Sequence, residues 1–188
     1  SFLFPGAARR KARGTFMTVP LSTIKSALKI DYDDDDTDIV RLREAAISLV
    51  ERRTQLLLSP QTSTLYIARF TDTLLPAYPY SSLTSVVYTN SSNTTTTMPA
   101  TDYWVDLTDG PMPVLRFLEA PGLYEGTAIT VTYAAGYSSV PNELTHAIIA
   151  LVGGWYNNPE SVQPITLQTV PLSVEYILSN ISTRSNLR

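Results

Sequence analysis

Apolar positions along this chain change their spacing twice. From Pro20 onward Leu21, Ile24 and Leu28 recur at three- and four-residue intervals, which predicts a short first helix with Pro20 in its first turn, where a missing N–H is tolerated. Ile39, Leu42, Ala46, Leu49 and Leu56 carry the same spacing, with Arg41, Arg43, Glu44, Glu51 and Arg52 assigned to other faces. A long amphipathic helix is therefore predicted over residues 36–57. After Ser59 and Pro60 the period falls to two and β-branched and aromatic residues become frequent, predicting strands over residues 64–70, 85–89, 103–107, 114–118 and 128–133. In the last of these Ile129, Val131 and Tyr133 alternate with Thr130 and Thr132, the pattern of a half-buried strand. Residues 90–97 are Ser, Thr and Asn and read as an exposed hairpin tip. Helical spacing returns after Pro141 in Leu144, Ala147, Ile148, Leu151, Val152 and Trp155, and ends near Asn157, Asn158 and Pro159. A segment bounded by Pro159 and Pro171 then leads to a last short helix with Val174, Ile177, Leu178 and Ile181 on one face.

Helices kept apart from strands along the sequence argue for an α+β fold rather than a doubly wound sheet. The expected architecture is a small bundle of about four helices with an antiparallel β insertion, residues 62–137, between the second and third helices. Residues 17–182 are expected to form a single domain, since the length of 188 residues and a hydrophobic share of 44% suit one packed core and are too little for two ordinary domains. Residues 1–16 read as an arm, because Pro5, Gly6 and Gly14 break any periodicity and the basic cluster Arg9, Arg10, Lys11 and Arg13 favours solvent. The arm is taken as natural and held by a neighbour, with Met17 as the other possible start, and residues 183–188 read as a tail.

Composition removes much chemistry. With no cysteine there is no disulfide, thiolate metal site or cysteine nucleophile, and one histidine excludes any site that needs two imidazoles. No apolar run is long enough for a membrane span or a secretory signal, so the expectation is a soluble protein made in the cytoplasm with no membrane partner. The sequons at Asn90, Asn93 and Asn180 follow from the Ser/Thr-rich composition. A net charge of −3 hides an asymmetry: the arm takes four of the fourteen cations and none of the seventeen acids. Between Phe70 and Thr183 the one cation is Arg116, so the body offers no basic stripe to phosphates and DNA should be contacted weakly if at all.

The candidate sites each have a plain structural reading. Asp31, Asp33, Asp34, Asp35, Asp36 and Asp38 invite a calcium site, yet the sixth position of a calcium loop, where glycine is needed, holds Asp36 or Asp38 in the two registers tried. Capping of the long helix by Asp35, Asp36 or Thr37, with acids near its positive end, accounts for the run. His146 lies between apolar positions without nameable triad partners, and there is no Gly-x-Ser-x-Gly elbow. Asp102 and Asp106 fall on one strand face and read as a solvated sheet edge; as a carboxylate pair they are the one glycosidic candidate. Gly153 and Gly154 sit within a helical stripe, pointing to close packing or a bend rather than a phosphate loop. Tyr78, Tyr80, Tyr103, Trp104, Tyr133 and Tyr137 read as packing, since no basic residues interleave with them. No metal, cofactor or catalytic group is assigned.

The order of these elements carries a resemblance. Helix, acidic turn and amphipathic helix are followed by strands and then by Asp102-Tyr103-Trp104-Val105-Asp106, Val131-Thr132-Tyr133-Ala134-Ala135-Gly136-Tyr137, Val140-Pro141-Asn142-Glu143-Leu144 and an apolar helix closing on Trp155-Tyr156-Asn157-Asn158. Over residues 17–182 this resembles the small head-tail connector, or adaptor, proteins of tailed bacteriophages; the long Ser/Thr tip and the basic arm depart from the pattern. The resemblance implies a non-enzymatic virion protein made in the bacterial host, forming a ring, twelvefold in the particle, that docks beneath the portal and joins the DNA-filled capsid to the tail. It further implies that Thr183, Arg184, Ser185, Asn186, Leu187 and Arg188 reach the portal. By extension Arg9, Arg10, Lys11 and Arg13 are expected to meet an acidic neighbour, and Asp33, Asp34, Asp35 and Asp36 to face the channel or a basic partner. A head-closure or tail-completion role lies close to this reading. A small glycan-binding or glycan-cleaving domain using Asp102, Tyr103, Trp104 and Asp106 is the alternative from another class.

Overall fold

The elements follow the predicted order, four helices with all but one of the strands between the second and third, and the fold is α+β as the pattern requires. The computed structural model describes residues 9–10, 19–108, 112–158 and 172–181. The chain divides into two compact units: residues 16–59 and 137–188 form a helical unit, and residues 1–15 and 60–136 form a sheet unit.

The helical unit contains α1 (Leu21–Leu28), α2 (Asp36–Thr54), α3 (Asn142–Asn157) and α4 (Leu172–Ile181). α1 and α3 start directly after Pro20 and Pro141, each at the N-cap, so Pro20 sits one position before the helix and its missing N–H leaves nothing unsatisfied. α2 and α4 pack on α3, and α4 also meets α2. Ile24, Ile39, Ala46, Val50, Leu144, Ile148, Leu151 and Val174 are buried between them. Gly153 permits close approach of α1 to α3, because a Cβ there would lie 2.8 Å from Leu28 Cδ2; at Gly154 a Cβ would meet nothing within 4 Å.

Two features of α2 differ from the periodicity reading. The helix ends at Thr54 instead of residue 57, since Gln55 turns left-handed (φ 62°) and its N–H bonds the Glu51 carbonyl. Leu56, Leu57 and Leu58 then enter the core from a non-helical backbone. Secondly, Arg43 and Glu51 belong to the buried face, not to solvent. Glu51 Oε1 accepts the Leu58 N–H at 3.1 Å, and Arg43 Nη1 donates to the Val19 carbonyl at 3.4 Å. These two polar side chains satisfy the chain where it leaves and precedes helices, which is why charge there does not mark an exposed face.

In the sheet unit an antiparallel five-stranded sheet runs β1-β2-β8-β4-β5, formed by β1 (Arg9–Arg10), β2 (Gln61–Ile67), β8 (Ile129–Ala135), β4 (Tyr80–Thr89) and β5 (Thr95–Thr97). Seven strands thus lie between α2 and α3 instead of five, and an eighth comes from the arm. β2 and β8 pair along their full lengths, from Gln61 opposite Ala135 to Ile67 opposite Ile129. Ile129, Val131, Tyr133 and Ala135 are all buried, as the alternation predicts. The buried Tyr133 hydroxyl accepts the Ala77 N–H at 3.0 Å. The tip expected over residues 90–97 is a turn only as far as Thr94. Asn90 Oδ1 accepts the N–H groups of Ser92 and Thr94, and Thr95 to Thr97 return as β5 against β4. Arg9 and Arg10 pair with Thr64 and Ser63, so this part of the arm is an edge strand and not wholly free of the fold.

A smaller sheet, ordered β3-β7-β6, joins β3 (Thr73–Leu74), β7 (Val114–Phe117) and β6 (Tyr103–Asp106). One face is packed: Leu115 is fully buried, and Phe117 meets Phe70 edge to face, with ring centroids 5.2 Å apart. Phe70, expected at the end of a strand, instead lies within a tight turn after β2, where the Thr71 N–H bonds the Arg69 carbonyl, and also contacts Tyr88 edge-on.

Candidate functional site

Two surfaces gather the residues that the sequence singled out. The first is the acidic turn between α1 and α2 in the helical unit. Lys25, on α1, reaches both Asp33 (2.5 Å) and Asp36 (2.7 Å), and its side chain is only 14% exposed. The Tyr156 hydroxyl, on α3, donates to Asp35 Oδ2 at 2.6 Å and lies 2.8 Å from the Tyr32 hydroxyl. Asp38 pairs with Arg41 one turn along α2, while Asp34 is exposed. Asp35 occupies the N-cap position, yet its side chain makes no capping bond, because the carboxylate is turned to Tyr156. Side-chain capping therefore does not explain the run, of which Lys25 engages Asp33 and Asp36, and Tyr156 engages Asp35.

The electrostatics follow from these bonds. The hydrogen bonds that Lys25 donates, to Asp33 first and then to Asp36, push its ammonium above its usual pKa, and Lys25 in turn holds Asp33 below the usual carboxylate range. Asp35, with Tyr32 behind it, raises the Tyr156 phenol well above the ordinary tyrosine value. Asp33, Asp35 and Asp36 are thus committed to partners within the unit, and no group of acids, histidines or cysteines among the described residues converges as a metal site.

The second surface is the outer face of the small sheet. Trp104 on β6 stands opposite Arg116 on β7, and the guanidinium carbon lies 5.8 Å from the Trp104 ring centroid. Two residues on, Asp106 stands opposite Val114, and Val114 also faces Leu74 of β3. Arg116 bonds Asp106 Oδ2 through Nε at 3.0 Å and Asp72 Oδ2 through Nη1 at 2.6 Å. Leu118 continues the same face by the two-residue period, its N–H bonded to the Asp102 carbonyl. Leu74, Trp104 and Leu118 are 58%, 46% and 65% exposed. The face is aromatic and aliphatic, with one arginine clamped between acids.

Asp106 is not the solvated edge residue that the sequence suggested. It is buried, accepting from the Thr108 hydroxyl (2.6 Å) and backbone N–H (2.9 Å) as well as from Arg116. Thr108 first, and Arg116 after it, hold its carboxyl below the ordinary range. A glycosidic general acid needs a raised pKa, so Asp106 is arranged for structure. Asp102 lies half-buried just before β6, bonded to the Thr101 hydroxyl.

The remaining candidates are dispersed. His146 is on the exposed side of α3. An open groove of about 430 Å³ in the sheet unit is lined by Leu65, Tyr66, Arg69, Leu74 and Pro76, with no pair of titratable groups for acid-base work. Lys11 and Arg13, and the tail residues Thr183, Arg184, Ser185, Asn186, Leu187 and Arg188, lie outside the described residues. No helix among the described residues is long and apolar enough to cross a membrane. Sequence reasoning missed Lys25, Tyr32, Leu74 and Leu118. The one available signal was that Lys25 and Lys29 are the nearest cations before the acidic run.

Neither a protein-family model nor a curated protein matches the chain. Solved structures do. A chain in the neck of an empty GTA particle, computed with C6 symmetry, superposes with a TM-score of 0.71 at 18% identity, covering 93% of this chain and 94% of that one. A chain in the neck of a native GTA particle, computed with C12 symmetry, gives 0.70 at 17% identity over 93% and 94%. The virion of a native gene transfer agent particle contributes another chain at 0.72 and 17% identity, over 92% and 93%. Over more than nine-tenths of its length the chain accordingly shares its fold with chains of gene transfer agent particles, two of them in the particle neck.

Proposed function

We propose that this protein is a structural head-tail connector of a phage-like particle: copies of it form a ring, twelvefold in the assembled neck, seated beneath the portal and joining the DNA-filled capsid to the tail. The observation that carries the reading is the correspondence of fold over more than nine-tenths of both chains with neck chains of particles whose symmetry is sixfold or twelvefold. Sequence order supports it independently, through the motifs from Asp102 to Asn158.

The chemistry of the surfaces agrees with an assembly role. A closing ring needs two different flanks on each copy, and both units display exposed apolar side chains beside charged ones. Function then lies in interfaces; the protein is not an enzyme and uses no cofactor. Few cations in the body let DNA pass without being held. Its partners are further copies of itself, the portal, and a tail or head-closure protein. Thr183, Arg184, Ser185, Asn186, Leu187 and Arg188 reach toward the portal, and Arg9, Arg10, Lys11 and Arg13 toward an acidic neighbour. Asp33 and Asp34, the exposed members among Asp33, Asp34, Asp35 and Asp36, are the ones open to the channel or a basic partner, and Asp33 also pairs with Lys25.

The test is negative-stain imaging with native mass measurement of the protein alone and mixed with the portal protein of the same genome. Rings stacked coaxially on the portal are expected. A persistent monomer that never binds portal overturns the proposal. Deleting residues 2–13 is expected to weaken attachment, and unchanged attachment removes the arm from the contact.

A further inference from the structure

We infer that the outer face of the small sheet is one flank of the contact between copies, and that it docks on the surface formed by the C-terminal end of α2 and by α4 of the next copy. The inference rests on the ring reading above and specifies how the ring closes.

The first flank is the face built on Leu74, Trp104 and Leu118. It is unusual in placing three large apolar side chains, each about half exposed or more, on one small sheet whose other side is packed. Its charge is acidic. Asp72 and Asp106 hold the single cation Arg116, and Asp102 stands just before β6, where it accepts the Thr101 hydroxyl. The cation also lies against the Trp104 ring, so the aromatic is fixed in place before any partner arrives. Aromatic residues of this kind, held rigidly and half exposed, are enriched at the centres of interfaces.

A partner for that face must offer apolar side chains and positive charge. Such a surface exists in the helical unit. On α4, Leu172, Glu175 and Tyr176 share one side at helical spacing, while Val174 and Leu178 are buried on the other. Leu172 and Tyr176 are 85% and 69% exposed. Arg53 reaches Glu175 at 4.0 Å, which places the end of α2 beside this patch, and Arg52 next to it is exposed. Among the described residues, Arg52 and Arg53 against Glu175 leave this surface with a net positive charge, in a chain whose net charge is negative.

The two surfaces are therefore complementary in both respects: apolar against apolar, acidic against basic. They are also different from each other, and this makes the contact heterologous. A patch that fitted itself would give a closed pair, whereas two unlike patches on every copy give a repeating head-to-tail contact, the kind from which a ring is built when its rotation closes. Charge also selects the pairing, since two copies of the acidic sheet face repel and the sheet-to-helix arrangement does not.

Because the chain has no cysteine, single introduced cysteines report contacts cleanly. Leu118→Cys and Tyr176→Cys are both exposed positions, and retention of fold is checked by circular dichroism. The full-length variants are mixed, assembled at high concentration and separately on the portal protein, imaged, oxidised and run without reductant. The expected result is a mixed Leu118→Cys/Tyr176→Cys dimer in at least fivefold excess over either self-pair, and a ladder of multimers when one chain carries both substitutions. Visible rings without the mixed dimer, or with self-pairs predominating, overturn the inference and leave the connector reading standing. Crosslinks to portal alone overturn it too, because they assign the sheet face to that partner. Absence of rings in both preparations overturns the connector reading itself, so the two failures are separated.

Discussion

Gly153 and Gly154 are neighbours in α3 with opposite surroundings, and they allow the α1–α3 contact to be measured by substitution with alanine. In a helix interior Gly→Ala gains about 0.5–1 kcal/mol from backbone entropy. At Gly154 a methyl meets nothing within 4 Å, so the gain is expressed in full. At Gly153 the methyl would sit 2.8 Å from Leu28 Cδ2. Restoring ordinary contact, about 3.5–4 Å, moves that methyl by about 1 Å. Leu28 is the half-buried last residue of α1, so it yields by turning away from its rotamer, at a cost of about 0.5–1.5 kcal/mol. The two effects at Gly153 roughly cancel, and the two variants should differ by about 1 kcal/mol, or about 2–4 °C in Tm for a chain of this size. The contact itself is isolated by a double-mutant cycle with Leu28→Ala, which removes the obstructing methyl. In that background Gly153→Ala should recover the gain seen at Gly154, giving a coupling of about 1 kcal/mol. Thermal and urea unfolding followed by helical circular dichroism provide the assay. If Gly153→Ala stabilises as much as Gly154→Ala in the unmodified chain, or if the cycle shows no coupling, the close approach of α1 to α3 is not what the glycine serves.

Glu51→Ala leaves the buried Leu58 N–H without its acceptor and should cost about 1–3 kcal/mol, whereas Glu51→Gln keeps an oxygen there and should retain most of that stability in urea unfolding; equal losses would refute the assigned role. Tyr133→Phe removes the acceptor of the Ala77 N–H and is expected to cost about 1 kcal/mol with the sheet intact, an unchanged Tm counting against the bond. The Lys25 cluster sets opposite pH limits. Asp33, lowered from 3.8, contributes stability that is complete above that value and fades as pH falls through its depressed pKa. Lys25, raised from 10.5, contributes stability that is complete below 10.5 and fades as pH rises through its elevated pKa. Lys25→Met should flatten the Tm profile at both ends, and profiles parallel to the unmodified protein would dismiss the cluster.

Helix and strand order was legible because it depends on local periodicity, and the places where periodicity misleads have physical causes. Leu56 lies at helical spacing from Leu49, but the backbone has already turned at Gln55, so the same burial is reached from an extended segment. Ile47 and Val50 replace Leu49 on the buried face of α2, and the polar Arg43 and Glu51 go with them. β2 begins at Gln61, through polar Thr62 and the buried Ser63, because its ladder with β8 and not its own pattern holds it extended. The first half of β4 is equally hidden: its register shifts between Tyr80 and Ser82 and again between Leu83 and Ser85, which destroys the alternation by which a strand is recognised. β1 and β3, two residues each, are too short to carry any period.

The sites were less legible than the fold, and for a different reason. A carboxylate is visible in sequence; the group that claims it is not. Asp35 is taken by Tyr156, 121 residues away, and Arg116 joins Asp72 and Asp106 across three strands. Sequence counting therefore treated the acidic turn as free charge and Asp106 as a solvated edge, when both are internal ties. The same pairing changes what each surface offers to a partner. With Asp33, Asp35 and Asp36 engaged inside the helical unit, the turn presents less negative charge than its composition suggests. With Arg116 held between acids and against Trp104, the sheet face keeps its negative character and presents Trp104, Leu74 and Leu118 as exposed apolar ground. On the connector reading proposed above the distinction is decisive, because residues bound within a unit set its shape and only those left outside can select a neighbour.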